Sequence, residues 1–96
     1  MPGYIAVEWV HDDPREPVTL YSELDDARWE TRKVEVWADG SVGWADGAHE
    51  VNARLGEVPV PPLADIDAME EFRPRQITAA EFELVWRDRV GHDGGP

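Results

Sequence analysis

The chain contains no cysteine. Disulfides, thiolate metal sites and thiol chemistry are therefore excluded, and the fold must rest on packing alone, as suits a reducing compartment. Lysine is almost as scarce. Lys33 is the only one, and with the arginines it makes nine bases against 21 acids, a formal net charge of −12. So few bases leave no basic stripe to follow a phosphate backbone, which argues against nucleic acid and anionic membranes as partners. No stretch approaches the roughly 18 apolar residues of a membrane span. The opening Met-Pro-Gly-Tyr lacks a basic region followed by an apolar run, so the expected location is cytoplasmic. Ser22 and Ser41 are the only serines, and neither sits in G-x-S-x-G. No glycine pattern fits a phosphate loop.

What is present describes one small α+β domain. Ninety-six residues give one core, expected over residues 1–90 with 91–96 as a flexible tail. Five tryptophans (Trp9, Trp29, Trp37, Trp44 and Trp86) supply large apolar area for that core. Alternating apolar and polar residues predict strands at 4–10, 18–24, 29–38 and 41–45, with a weaker fifth within 48–58. Asp39-Gly40 is a strong hairpin signal, and a second Asp-Gly pair at 46–47 ends the fourth strand. The order predicts an antiparallel meander. The prolines of "VPVPPL" close the sheet region, a short helix follows at about 63–69, and Pro74 stops it. Thr78-Ala79-Ala80-Glu81 is a capping box, with Ile77 and Phe82 placed for a hydrophobic staple. It opens a helix over 79–90 whose apolar stripe is Phe82, Val85, Trp86 and Val90, with Glu83–Arg87 as an i,i+4 pair and Gly91 as its stop. This helix is expected to pack on one sheet face.

The most information-dense stretch is "YSELDDARWETRKVEVWADG", residues 21–40. Strand parity puts Val34, Val36 and Ala38 on one face and Trp29, Thr31, Lys33, Glu35 and Trp37 on the other, so both faces carry large apolar groups. Three arrangements satisfy this. A bulge shifts the parity between Trp29 and Val34; or the strand is central, with the closing helix over Val34 and Val36 and a loop over the tryptophans; or the tryptophan face is partly open, a shallow aromatic surface bearing Lys33 and Glu35.

The segments "YIAVEWVHDDPREPVTLYSELDDARWETRKVEVWADGSVGWAD", "RLGEVPVP" and "EFRPRQITAAEFELVW" resemble a family of short bacterial proteins, common in actinobacteria, that is classed as a domain of unknown function. The similarity spans residues 4–88, and a YSELDDxRWExRKVE-type signature is its most specific mark. Pro62 departs from the pattern, where a serine or similar cap before the short helix is expected. The resemblance supports a single compact module and supplies no activity, ligand or catalytic residue to carry over.

Chemistry-bearing residues are few. His11-Asp12-Asp13 and His49-Glu50 would make a metal site only if the loops after strands one and four met, and the spacing of known zinc motifs is missing. Glu8, in the middle of an apolar strand, is the best acid–base candidate, against the plainer reading of a cross-strand pair with Lys33 or Arg32. The reading is thus a small acidic, non-enzymatic protein-interaction module without cofactor, monomeric, for a basic protein partner. Its most concrete form is an immunity-like inhibitor. The acids to contact that partner are Asp12 and Asp13 in the first loop and Asp25 and Asp26 in the second, with Trp29, Lys33, Glu35 and Trp37 as the further interaction residues. The alternative is a small-ligand binding domain or enzyme that uses the aromatic face around Trp29 and Trp37.

Overall fold

A computed structural model describes residues 3–94, with side chains to Asp88. The chain forms β1 (Gly3–Trp9), β2 (Thr19–Leu24), β3 (Glu30–Val36), β4 (Val42–Asp46), β5 (Glu50–Val51), α1 (Leu63–Asp67), β6 (Phe72–Gln76) and α2 (Ala79–Gly94). The strands make one six-stranded sheet in the order β5-β4-β3-β2-β1-β6, and every neighbouring pair is antiparallel. The expected meander is therefore present, with one strand added on its β1 edge.

That added strand, "FRPRQ", contains the proline read as a helix stop. Pro74 is opposite Val7 in the ladder. The Ile77 amide donates inward to the Tyr4 carbonyl at 3.0 Å, so by alternation position 74 turns its missing N–H to the outer edge. A proline is tolerated there because no ladder bond is lost. The same residue blunts the exposed edge against further strand addition. At the opposite edge β5 is only two residues long, and Leu55, expected in it, lies outside.

The sheet is covered on both faces. On one, α2 packs through Phe82 onto Ala6 and Ile77, flanked by Tyr4 and Tyr21, and through Val85 and Trp86 onto Val34 and Trp44. Phe82 and Val34 are fully buried. Arg32 clamps helix to sheet. Its guanidinium reaches Glu23 at 2.6 Å and also Glu83, and it stands 4.9 Å from the Phe82 ring centroid and 5.0 Å from that of Trp86. These partners raise the Arg32 pKa, Glu23 most, and the same contact holds the Glu23 carboxyl below its usual range against the opposing pull of burial. Glu83 thus pairs across to the sheet, where an i,i+4 pair with Arg87 was expected. On the other face, Ile5, Val7, Leu24 and Ile66 form the core, with Val60, Leu63 and Phe72 packed against them.

α2 begins as its sequence dictates. The Glu81 amide donates to Thr78 Oγ1 at 3.1 Å, and the Thr78 amide donates back to Glu81 Oε1 at 3.3 Å. Thr78→Ala should lower stability by about 1 kcal/mol through the lost cap, measurable as a shifted urea midpoint; an unchanged midpoint would show that the cap contributes nothing. The helix runs on through Gly91, its expected stop, to Gly94. The side chain of Val90, expected on the apolar stripe, lies outside the described residues, and the expected tail 91–96 reaches beyond them. α1 begins at Pro62 with no side-chain cap. Two glycines are required by geometry. Gly40 turns the β3–β4 hairpin at φ +88°. A Cβ on Gly43 would lie 2.6 Å from the Asn52 carbonyl oxygen, so this glycine lets the following loop cross the sheet.

Candidate functional site: a recess beneath helix α1

β3 carries a bulge. Its register steps from Glu23↔Arg32 to Leu24↔Glu30, leaving Thr31 as the extra residue. The step turns Glu30 onto the same face as Lys33 and Glu35. Of the arrangements read from the sequence, the bulge is present and resets the parity. The strand is also central, with α2 over Val34, but the loop on its other face covers Lys33 and leaves Trp29 41% exposed.

Three charges meet on this face. Lys33 Nζ lies 2.9 Å from Glu30 Oε1 and 3.7 Å from Glu35 Oε1, and it donates to the Arg54 carbonyl at 3.1 Å. Glu30 also accepts from the Gly56 amide at 2.6 Å and from the Ser22 hydroxyl at 2.9 Å. Its side chain is only 6% exposed, and that of Lys33 12%. The loop from 52 to 58 thus lies over Lys33 and is tied down by the very charges it covers. Burial pushes the Glu35 carboxyl up, partly offset by Lys33. A folded-state pKa above the unfolded value means that ionisation favours the unfolded chain, so this contribution is favourable below the carboxylate range and is lost as pH rises through the folded value. Glu35→Gln should therefore be more stable than the parent at pH 7 and match it at pH below that range; chemical denaturation at both pH values measures it, and equal stabilities throughout would refute it.

Beside the charged cluster lies an apolar recess of about 210 Å³. Ile5, Val7 and Leu20 form its sheet wall, and Ile66, Met69 and Phe72 close it from α1 and the start of β6. Val60 and Pro61 complete the wall, while Ser22 and Glu30 supply its one polar end. Arg28 fixes the proline segment from the side. It adopts φ 67°, accepts from the Val60 amide at 2.7 Å, and donates to the Val60 and Pro61 carbonyls at 2.9 and 2.8 Å. The recess is smaller than the roughly 300–1,000 Å³ of ordinary small-molecule sites. It exceeds the ~150 Å³ that admits a benzene ring, and so suits a single large apolar group.

The residues singled out from the sequence are dispersed. Trp29 precedes β3 and is 41% exposed, whereas Trp37 follows it and is half-buried, its indole donating to the Arg15 carbonyl at 3.1 Å. They stand at opposite ends of the strand, and neither lines the recess. Lys33 and Glu35 lie in the charged cluster. Asp12 is exposed, and Asp13 holds Arg15 at 3.1 Å. Asp25 accepts from the amides of Ala27 and Trp29 at 2.9 Å each, which shapes the turn, and Asp26 is exposed beside it. Asp12 and Asp13 lie at one end of the sheet and Asp25 and Asp26 at the other, as a meander requires.

Other sequence-level readings are corrected by the topology. Loops after β1 and β4 fall at opposite ends of the sheet, so His11 and His49 do not meet. His11 Nε2 is instead 2.7 Å from the Pro17 carbonyl, and His49 contacts Asp46. Among the described residues no group of three or more His, Asp or Glu is arranged to hold a metal ion. Glu8 faces Thr19 and Arg73 across the ladder, not Lys33 or Arg32. The recess itself escaped sequence reasoning. Its one legible signal was Ser22, a small polar residue in an otherwise apolar strand stripe of Val18, Leu20 and Leu24.

No helix of the described residues is long and apolar enough to cross a membrane. Neither a curated protein nor a solved structure matches the chain. A family does: over residues 3–91 the chain matches, and it belongs to, the family described as domain of unknown function (DUF6881).

Proposed function

We propose that this domain is a non-enzymatic interaction module that binds a basic protein, with an immunity-like inhibitor as its most concrete form. The supporting observation is how the charges are spent. Among the described residues the lysine and arginines in ion pairs are Arg32 and Lys33 inside the fold, and Arg15, Arg54 and Arg75, each beside an acid on the surface. Asp12, Glu16, Glu57, Asp65, Asp67, Glu70 and Glu71 are exposed, and among the described residues none of them has an ion-pair partner. These acids give the described surface an excess of negative charge. Such a surface accelerates encounter with a cationic partner and repels polyanions.

The test is kinetic. A partner captured from native cytosol is expected to be basic, and its association rate to fall steeply from low to high salt. Asp12→Asn, Asp13→Asn, Asp25→Asn and Asp26→Asn together should reduce the low-salt rate by about tenfold or less and flatten the salt dependence. Equal rates for parent and variant at every salt concentration would reduce the charge to a solubility device.

A further inference from the structure

We propose that the recess beneath α1 seats one large apolar side chain from a basic segment of the partner protein; this rests on the interaction reading above and names the place where it is anchored. Three observations converge there. The recess is apolar apart from Ser22 and Glu30, and its volume of about 210 Å³ suits a single leucine- to tryptophan-sized group. The segment that closes it, α1 and the turn to β6, carries Asp65, Asp67, Glu70 and Glu71, all exposed, and α1 has no base in its last turn. One apolar side chain of its wall, Met69, is left 36% exposed. An apolar pocket that takes one anchoring side chain, within a polar rim, is the usual form of a protein-binding hot spot.

The occupant is thereby specified. A carboxylate-bearing segment is repelled by the α1 acids. A lysine or arginine end inside the recess would find Glu30 already engaged by Lys33, Ser22 and the Gly56 amide. The inserted group is therefore apolar, and its chain neighbours are basic. β-strand addition is a poorer mode, because Pro74 and the two-residue β5 blunt both edges.

The experiment uses the full chain labelled with ¹⁵N and a short arginine-glycine peptide with one central leucine. Saturable binding is expected, with amide shifts concentrated at Ile5, Ser22, Ile66 and Phe72. Replacing the central leucine by serine should weaken binding at least about tenfold, the order of one buried apolar side chain. Met69→Lys, a change at an exposed rim position that leaves the core intact, should weaken it similarly. Asp65→Asn, Asp67→Asn, Glu70→Gln and Glu71→Gln together should weaken it and reduce its salt dependence. Salt-dependent binding that ignores the central residue would overturn the recess while leaving the acidic interaction reading in place. Tight binding of free indole or benzene with no response to the arginine peptide would make the recess a small-ligand site and overturn the proposal. Absence of any salt-dependent binding, by peptide or basic protein, would overturn both.

Discussion

Phe82→Ala is expected to lower stability by about 3–5 kcal/mol, the range for truncating a fully buried aromatic. Phe82 is the side chain through which α2 enters the core, and it is wholly inaccessible. Its ring stands 5.5 Å from Tyr4 and 6.2 Å from Trp86, with the Arg32 guanidinium 4.9 Å from its centroid. Removing it opens a cavity and also strips the apolar backing from the Arg32 clamp. Against a typical total of ~5–15 kcal/mol, a loss of this size puts folding in question. Trp86, on the same apolar stripe, should matter less: it is only half-buried, so Trp86→Ala should cost about 2–3 kcal/mol. Urea denaturation of both variants tests the order. A larger loss for Trp86→Ala would place the helix anchor one turn further along.

Lys33→Met should cost about 3–4 kcal/mol at neutral pH, the scale of stripping one partner from a buried ion pair. Lys33 stands between Glu30 and Glu35, whose side chains are 6% and 15% exposed. Without it two shielded carboxylates face each other beneath a loop with no countercharge, and the loop loses its bond from Lys33 to the Arg54 carbonyl. The deficit should shrink on acidification. Burial already pushes the Glu35 carboxyl up, and losing Lys33 removes the charge that opposes this, so protonation relieves the strain at a higher pH than in the parent. Glu35→Gln in the Lys33→Met background should restore part of the loss at pH 7. A double-mutant cycle measures this coupling; a pH-independent deficit with no rescue would mean that Lys33 acts through packing of its stem and not through charge.

Particular elements show how far the sequence could be read. The capping box at Thr78 forms because its partners lie three residues apart on one helix. Four strands of the meander and the Asp39-Gly40 hairpin follow from period-two alternation and local turn chemistry. β6 was hidden because the cost of a proline depends on which way its nitrogen faces, and only the neighbouring strand decides that. The charged cluster was hidden by one inserted residue, since the bulge at Thr31 reverses the side on which Glu30 falls. Glu83 shows the same limit: the helix offered Arg87 at i+4, but Arg32 on the sheet became its partner.

By itself, then, the sequence determined the α+β class, the antiparallel order, the capped final helix and the acidic character, because each depends on neighbours within a few residues or on simple counts. It could not determine what lies beneath α1. The recess combines β1 and β2 with residues 30, 60–61 and 66–72, and the burial of Lys33 depends on a loop that crosses at Gly43. Those contacts join residues tens of positions apart, and which face each presents depends on a bulge and an edge strand. Only the folded arrangement of all six strands sets them.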